Sequence, residues 1–174
     1  MLLPILTYPD PRLKTVCKPV EGVDDDLRKL VSDMFETMYA APGVGLAAPQ
    51  VGHFIRLLVM DPVASNPEIK NPKVLINPVL ELSGDEIVSK SEGCLSVPMG
   101  YRADVTRRSH VHLIARDLEW NLIDEQLDDY IAIIVQHETD HLDGVLFIDH
   151  LSRFTRSFFE RRVNKWLKKK VNQQ

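Results

Sequence analysis

Two histidines and a glutamate in residues 135–144 have the spacing of a catalytic metal site. The segment reads VQHETDHLDG and contains the pattern His-Glu-x-x-His. On a helix, His137 and His141 would share one face and could hold the same ion, while Glu138 would sit beside the open side of that ion. The pattern therefore predicts a metal site with an acidic group next to it.

A catalytic metal site needs a third protein ligand and keeps one coordination position open. Downstream of His141, the one glutamate is Glu160, which lies among the arginines of a basic tail, and His150 is too distant for the metzincin pattern. Upstream, Cys94 lies in a Gly-Cys turn within SEGCLSVP. A thiolate there would complete a Cys, His, His set suited to a borderline-soft divalent ion.

Three helices are expected to carry or support these residues. Apolar residues recur at helical spacing after the acidic run at 24–26, and Pro42 ends that helix. A second helix is expected from about Asp124 to His141, which puts the motif on a helix in an apolar setting. A basic amphipathic helix is expected at 152–171.

The remaining segments indicate strands and a composition typical of a folded domain. The β-rich runs are 54–61, 73–82 and 104–117, with a Pro/Asn-rich loop at 62–72. The chain has 174 residues, 44% hydrophobic composition, a net charge of −4 and two cysteines. These values predict a single α+β domain over residues 1–174 in a reducing compartment, and no segment has the profile of a signal peptide or membrane span. We therefore expect a cytoplasmic protein.

Three motifs in this order resemble the signature motifs of the peptide deformylase family. They are GVGLAAPQ from residue 43, EGCLS from residue 92 and QHETDHLDG from residue 136. The N-terminal region and the long C-terminal helix also resemble the family's bacterial type 1 branch, so the resemblance covers nearly the whole chain. It implies the peptide deformylase fold, with mixed or antiparallel sheets around a central metal-binding helix. It also implies hydrolysis of the formyl group of N-formylmethionyl nascent peptides, with release of formate.

The resemblance also implies roles for the motif residues. Cys94, His137 and His141 would bind one divalent ion, Fe²⁺ in the native protein, with Zn²⁺, Ni²⁺ or Co²⁺ as substitutes. A metal-activated water would attack, and Glu138 would act as general base and then as general acid. The side chain of Gln50 and the backbone N–H of Leu95 would stabilise the oxyanion.

Substrate binding is expected around the metal. Gly43 and Gly45 would let the backbone approach the substrate, and Gly93 permits the turn that presents Cys94. The methionine slot has three candidates, for which ordinary core packing is the alternative: Val44, Ile133 and Ile134. Arg102 is either a substrate clamp or a surface arginine, because the segment after Cys94 is about one residue longer than in the common type 1 form.

Partners and rival functions remain open at this point. The resemblance implies a monomer that contacts the ribosome through its basic helix, and a solvated helix face is the alternative. The basic residues are Arg161, Arg162, Lys165, Lys168, Lys169 and Lys170. A metallopeptidase with the same helix is the rival enzyme. A closed structural zinc site of Cys17, Cys94, His137 and His141 is the rival without catalysis.

Overall fold

In the computed structural model, which describes residues 1–63 and 69–171, five strands form one antiparallel sheet. The expected loop at 62–72 includes residues 64–68, which lie outside the described residues. The spatial order follows the chain order. The strands are β1 (Gly45–Ala47), β2 (Leu57–Met60), β3 (Lys73–Glu92), β4 (Ala103–Arg116) and β5 (Leu122–Asp128). The predicted α+β class is confirmed, and of the two expected sheet types, mixed or antiparallel, the structure has the antiparallel one.

Strand β4 shows why the sequence pattern predicts its position so well. Its residues alternate between buried and more accessible positions along the whole strand. The alternation gives one face to the core and one to solvent, as expected for an antiparallel strand. Arg107 falls in the inward register together with Val105, Val111 and Leu113. An arginine on a core-facing position requires a buried partner.

Helix α1 (Asp25–Ala40) begins and ends close to where the sequence predicts. The side chain of Asp24 caps its N-terminus by accepting a hydrogen bond from the Leu27 N–H at 2.8 Å. Its apolar face packs against the sheet around Met34 and Met38, both fully buried. This helix forms one wall of the core beside β1 and β2.

Helix α2 (Asp129–Leu142) contacts every strand of the sheet and carries the His-Glu-x-x-His motif. The prediction that it begins near Asp124 is wrong, because residues 122–128 form β5 and pair with β4. The acidic residues in this stretch resemble a helix N-terminus, but the cross-strand pairing and the burial of Leu127 favour the strand. Gly144 follows α2 in a left-handed conformation, with φ of 72°.

Helix α3 (Arg153–Val171) packs on the rest of the protein through an aromatic contact. Phe159 is fully buried and lies 4.7 Å, between ring centroids, from Tyr101. Two other phenylalanines of α3, Phe154 and Phe158, are 72% and 49% exposed. Their rings meet edge to face, with centroids 4.8 Å apart. Among the described residues, no helix combines the length and the apolar character needed to cross a membrane.

Candidate active site

Two parts of the chain bring three potential metal ligands together. Cys94 lies in the loop after β3, whereas His137 and His141 lie one turn apart on α2. One ligand atom from each residue lies within 4.8 Å of the others, and Cys94 Sγ is 3.2 Å from His141 Nε2. Ligands that share one ion are similarly spaced, since each lies about 2.0–2.3 Å from the metal. The sulfur and nitrogen donors therefore fit a borderline-soft divalent ion.

Cys17 is not part of this group, so the closed four-ligand site is not assembled. Its thiol is 4% exposed, lies in the apolar cluster beneath the sheet and contacts the Thr15 carbonyl oxygen at 3.9 Å. Burial raises the pKa of this thiol to about 11. The side chain is therefore a protonated core residue at neutral pH.

The ring of His137 is fixed from behind by a buried carboxylate. His137 Nδ1 lies 2.6 Å from Glu92 Oε1, which leaves Nε2 for the metal side. Glu92 also accepts hydrogen bonds from Arg107 Nη2 at 2.5 Å and Nε at 3.3 Å. Burial alone would raise the pKa of Glu92, but the hydrogen bonds from His137 and Arg107 lower it to about 2. A charged carboxylate thus selects the His137 tautomer and increases its basicity.

Glu138 is 5% exposed and points into the space beside the ligand cluster. Burial raises the pKa of this carboxyl to about 7. Its Oε2 atom has no hydrogen-bond partner among the described residues. Both protonation states are therefore accessible near neutral pH, as a group that alternates between base and acid requires.

The structure gives Gly45 a specific reason to be a glycine. A Cβ atom added there would lie 2.4 Å from Glu138 Oε1 and 2.7 Å from its Cδ and Cγ. The sequence predicts contact between Gly45 and the substrate, whereas the structure shows contact with Glu138. Gly43 likewise leaves no room for a side chain, since a Cβ there would lie 2.9 Å from Leu95 Cδ1.

Gln50 is held rigidly beside the cysteine. Its Oε1 accepts a hydrogen bond from the Ala47 N–H at 2.8 Å, and its Nε2 donates to Ser96 Oγ at 3.1 Å. The same Nε2 lies 3.5 Å from Cys94 Sγ. Within residues 1–63 and 69–171, the backbone N–H of Leu95 has no hydrogen-bond acceptor. The Leu95 N–H is therefore available next to the ligand cluster, and the Gln50 amide places a second N–H against the cysteine sulfur.

A cavity of about 580 Å³ opens onto the cluster. Every predicted site residue except His141 lines it. These residues are Gly43, Val44, Gly45, Gln50, Gly93, Cys94, Leu95, Arg102, Ile133, Ile134, His137 and Glu138. Arg102 is exposed at this cavity, lies across Gly93 and donates from Nη1 to the Ser91 carbonyl oxygen at 3.0 Å.

Sequence reasoning missed two residues of the site. Glu92 belongs to the EGCLS motif, but the sequence predicts no role for it, and it predicts none for Arg107. The inward register of Arg107 on β4 was the available signal, because a core-facing arginine needs a carboxylate. The sequence alone does not show that this carboxylate also holds His137.

Comparison with known proteins identifies the family. The family model for polypeptide deformylase matches residues 2–157. The chain belongs to the peptide deformylase family. The peptide deformylase of Cellvibrio japonicus is 48% identical over 164 residues, which cover 94% of this chain and 95% of that protein. The Pseudomonas aeruginosa peptide deformylase is 46% identical over 173 residues, which cover 99% and 98%.

Solved peptide deformylases share the fold. A crystal structure from Legionella pneumophila has a TM-score of 0.88 and 39% identity, and covers 98% of both chains. One from Ehrlichia chaffeensis in complex with actinonin has a TM-score of 0.85 and 41% identity, and covers 94% of this chain and 96% of that one. Peptide deformylases are metal-dependent hydrolases that remove the N-formyl group from nascent peptides. The family assignment therefore supports this reaction for the chain.

Proposed function

We propose that this chain hydrolyses N-formylmethionyl peptides at one divalent ion held by Cys94, His137 and His141. The observation that supports it best is that these three ligand atoms lie within 4.8 Å of one another, beside a cavity lined by Glu138. A divalent ion bound there would lower the pKa of a water ligand from 15.7 to roughly 7 and so supply a nucleophile at neutral pH. We expect Fe²⁺ as the native ion, as the resemblance to the family implies. The mixed thiolate and imidazole set would also accept Zn²⁺, Ni²⁺ and Co²⁺.

Glu138 is proposed as the proton-transfer group. As a carboxylate it takes the proton of the attacking water, and as an acid it returns that proton to the leaving amine. The raised pKa of Glu138, about 7, supports both half-reactions at neutral pH. The unpartnered Oε2 is the atom that would receive the proton.

Gln50 and the backbone N–H of Leu95 are proposed as oxyanion donors. The N–H of Gln50 that contacts Cys94 Sγ at 3.5 Å would be the one to donate to the substrate oxygen, in exchange for its contact with the sulfur. Loss of one such donor typically costs about 3 kcal/mol of transition-state stabilisation. The bonds from Gln50 to Ala47 and Ser96 would hold the amide in place before the reaction.

The peptide is proposed to bind alongside β1. This strand lies at the edge of the sheet, and its first residue, Gly45, lines the cavity together with Gly43 and Val44, which precede the strand. An extended peptide can add to such an edge through main-chain hydrogen bonds. Val44, Ile133 and Ile134 would then enclose the methionine side chain, and Arg102 at the rim would contact the downstream peptide.

We further propose one catalytic domain over residues 1–174 that acts as a monomer in the cytoplasm on emerging chains. Six basic residues of α3 are exposed, namely Arg161, Arg162, Lys165, Lys168, Lys169 and Lys170. They would contact ribosomal RNA phosphates without reading sequence. Pelleting with purified ribosomes at rising salt tests this contact, which should weaken steeply between 50 and roughly 200 mM salt. Binding that is insensitive to salt would contradict it.

The deciding experiment measures anaerobic release of formate from formyl-Met-Ala-Ser, with metal content determined on the same sample. Wild type should release formate, and Glu138→Ala should retain its metal but lose the activity. Glu21→Ala, on an exposed glutamate, is the matched control and should behave as wild type. Wild-type protein with one divalent ion per chain that releases no formate would overturn the proposal. Cleavage of the unformylated peptide would indicate a peptidase.

A further inference from the structure

The hydrogen-bond chain behind His137 continues beyond Arg107. Arg107 Nη1 donates to Asp140 Oδ2 at 2.7 Å, and His150 Nε2 lies 2.8 Å from the same oxygen. The side chain of Arg107 is 4% exposed, that of Asp140 is 24% exposed and that of His150 is 38% exposed. The chain of contacts therefore runs from the buried ring of His137 to a partly exposed imidazole.

The outer end of this chain lies away from the catalytic cavity. Arg107, Asp140 and His150 line a second cavity of about 470 Å³. Three residues of α2 line the second cavity, namely Gln136, Thr139 and Asp140. Five others line the catalytic cavity, namely Tyr130, Ile133, Ile134, His137 and Glu138. The two sets occupy different faces of the helix. The contacts from Glu92 to His150 thus connect one face of α2 to the other.

The geometry of Arg107 explains how a contact on one side can act on the other. A guanidinium is a rigid planar fork, so a bond that fixes one arm also fixes the others. Asp140 fixes Nη1, while Nη2 and Nε hold Glu92. Asp140 also shares the positive charge of Arg107, which leaves more of the negative charge of Glu92 to act on His137. Both effects favour a firmly bound metal ligand.

We propose that Asp140 and His150 are positioning residues of the metal centre, which fix the Arg107 guanidinium and through it the Glu92 carboxylate that orients His137. This inference rests on the metal ligand set proposed above. Neither residue reaches the catalytic cavity, so neither touches the substrate. Their effect should appear first in how tightly the metal is held and in the geometry of its ligands.

The test measures the rate at which a chelator removes Co²⁺ from the loaded protein, together with its visible absorption, which reports the ligand geometry. Asp140→Asn keeps the size of the side chain and removes its charge, and it should lose the metal about 10-fold faster with a shifted spectrum. The matched control is Asp143→Asn. Asp143 lines the same second cavity, but its side chain pairs with Arg56 and makes no hydrogen bond to the side chains of the residues behind His137. It should match wild type in both readouts.

A second pair of variants separates hydrogen bonding from packing, and it decides the question if Asp140→Asn does not fold. His150→Gln keeps a side-chain N–H that can reach Asp140, whereas His150→Phe keeps the ring and removes every donor. His150→Phe should lose Co²⁺ roughly 3-fold faster than wild type, and His150→Gln should restore most of the difference. Equal rates and equal spectra in wild type, Asp140→Asn and His150→Phe would overturn the inference.

A failure of this inference can be told apart from a failure of the proposed function. If wild type binds no Co²⁺, or if its spectrum shows no thiolate ligand, the proposed ligand set is wrong and the inference falls with it. If wild type binds Co²⁺ through Cys94 but releases no formate, the metal readouts still test Asp140 and His150. Activity is therefore measured separately on the same samples.

Discussion

The contact between Gly45 and Glu138 predicts a large loss of activity for Gly45→Ala. A Cβ at residue 45 would lie 2.4 Å from Glu138 Oε1, whereas ordinary contacts begin near 3.4 Å. The carboxylate would have to move by about 1 Å, and a displacement of that size can cost roughly 100-fold in rate. Such a factor corresponds to about 2.7 kcal/mol of transition-state stabilisation. We expect kcat/KM for formyl-Met-Ala-Ser to fall accordingly.

The assay needs one control for the added methyl group itself and a second that shows whether the loss of activity acts through Glu138. Gly22→Ala is the first, because nothing lies within 4 Å of a Cβ at that position. The second is a double-mutant cycle with Glu138→Ala, in which Gly45→Ala should cause no additional loss. Metal content should stay at one ion per chain in all variants. A Gly45→Ala protein whose kcat/KM stays within about threefold of wild type would refute the reasoning from this contact.

Three further predictions follow from other parts of the structure. Glu92→Gln removes the charge that holds His137, so metal affinity in chelator competition should fall about 10- to 100-fold; unchanged affinity would contradict the role of the carboxylate. Cys17→Ala should keep full metal content. Because its folded pKa of about 11 lies above the ordinary value of 9.0, the contribution of Cys17 to stability is complete below pH 9 and is lost as pH rises toward 11. Denaturation curves of Cys17→Ala should lack that part of the pH dependence. Gly144→Ala would place a Cβ 2.4 Å from the Lys14 carbonyl oxygen at a positive φ, so the free energy of unfolding should fall by more than about 1 kcal/mol. Each kcal/mol lost should lower the melting temperature by roughly 4 °C. An unchanged melting temperature would argue against this packing.

The elements with a clear period were predictable from the sequence, and those set by distant pairing were not. Strand β4 alternates strictly, and α1 has a capping aspartate and a helical apolar stripe. Strand β5 was mistaken for the start of α2, because its acidic residues suit a helix N-terminus as well as a solvent-facing strand. Only pairing with β4 decides between the two, and pairing is a property of the folded chain.

The proposed metal ligands could be predicted because they form a local pattern in the sequence. The residues that hold His137 in place form no such pattern. His137 and His141 are one helical turn apart, and Cys94 follows a glycine in a motif. Glu92 and Arg107 hold His137 from two neighbouring strands, and their distance in space depends on the register of β3 and β4. The close approach of Gly45 to Glu138 could not be predicted either, because this contact crosses from β1 to α2.

The separation of the ligands along the chain has a consequence for the lifetime of the protein. If Cys94 and His137 share an ion as proposed, that ion would tie together segments about 40 residues apart. A cross-link that closes such a loop stabilises a folded chain by about 4 kcal/mol in the chain-entropy model. Loss of the ion removes that tie from the loop after β3 and from α2. Local opening then becomes more frequent, and proteases cleave opened chains. Molecules with a damaged, inactive metal centre would thus be degraded by proteases sooner than intact ones.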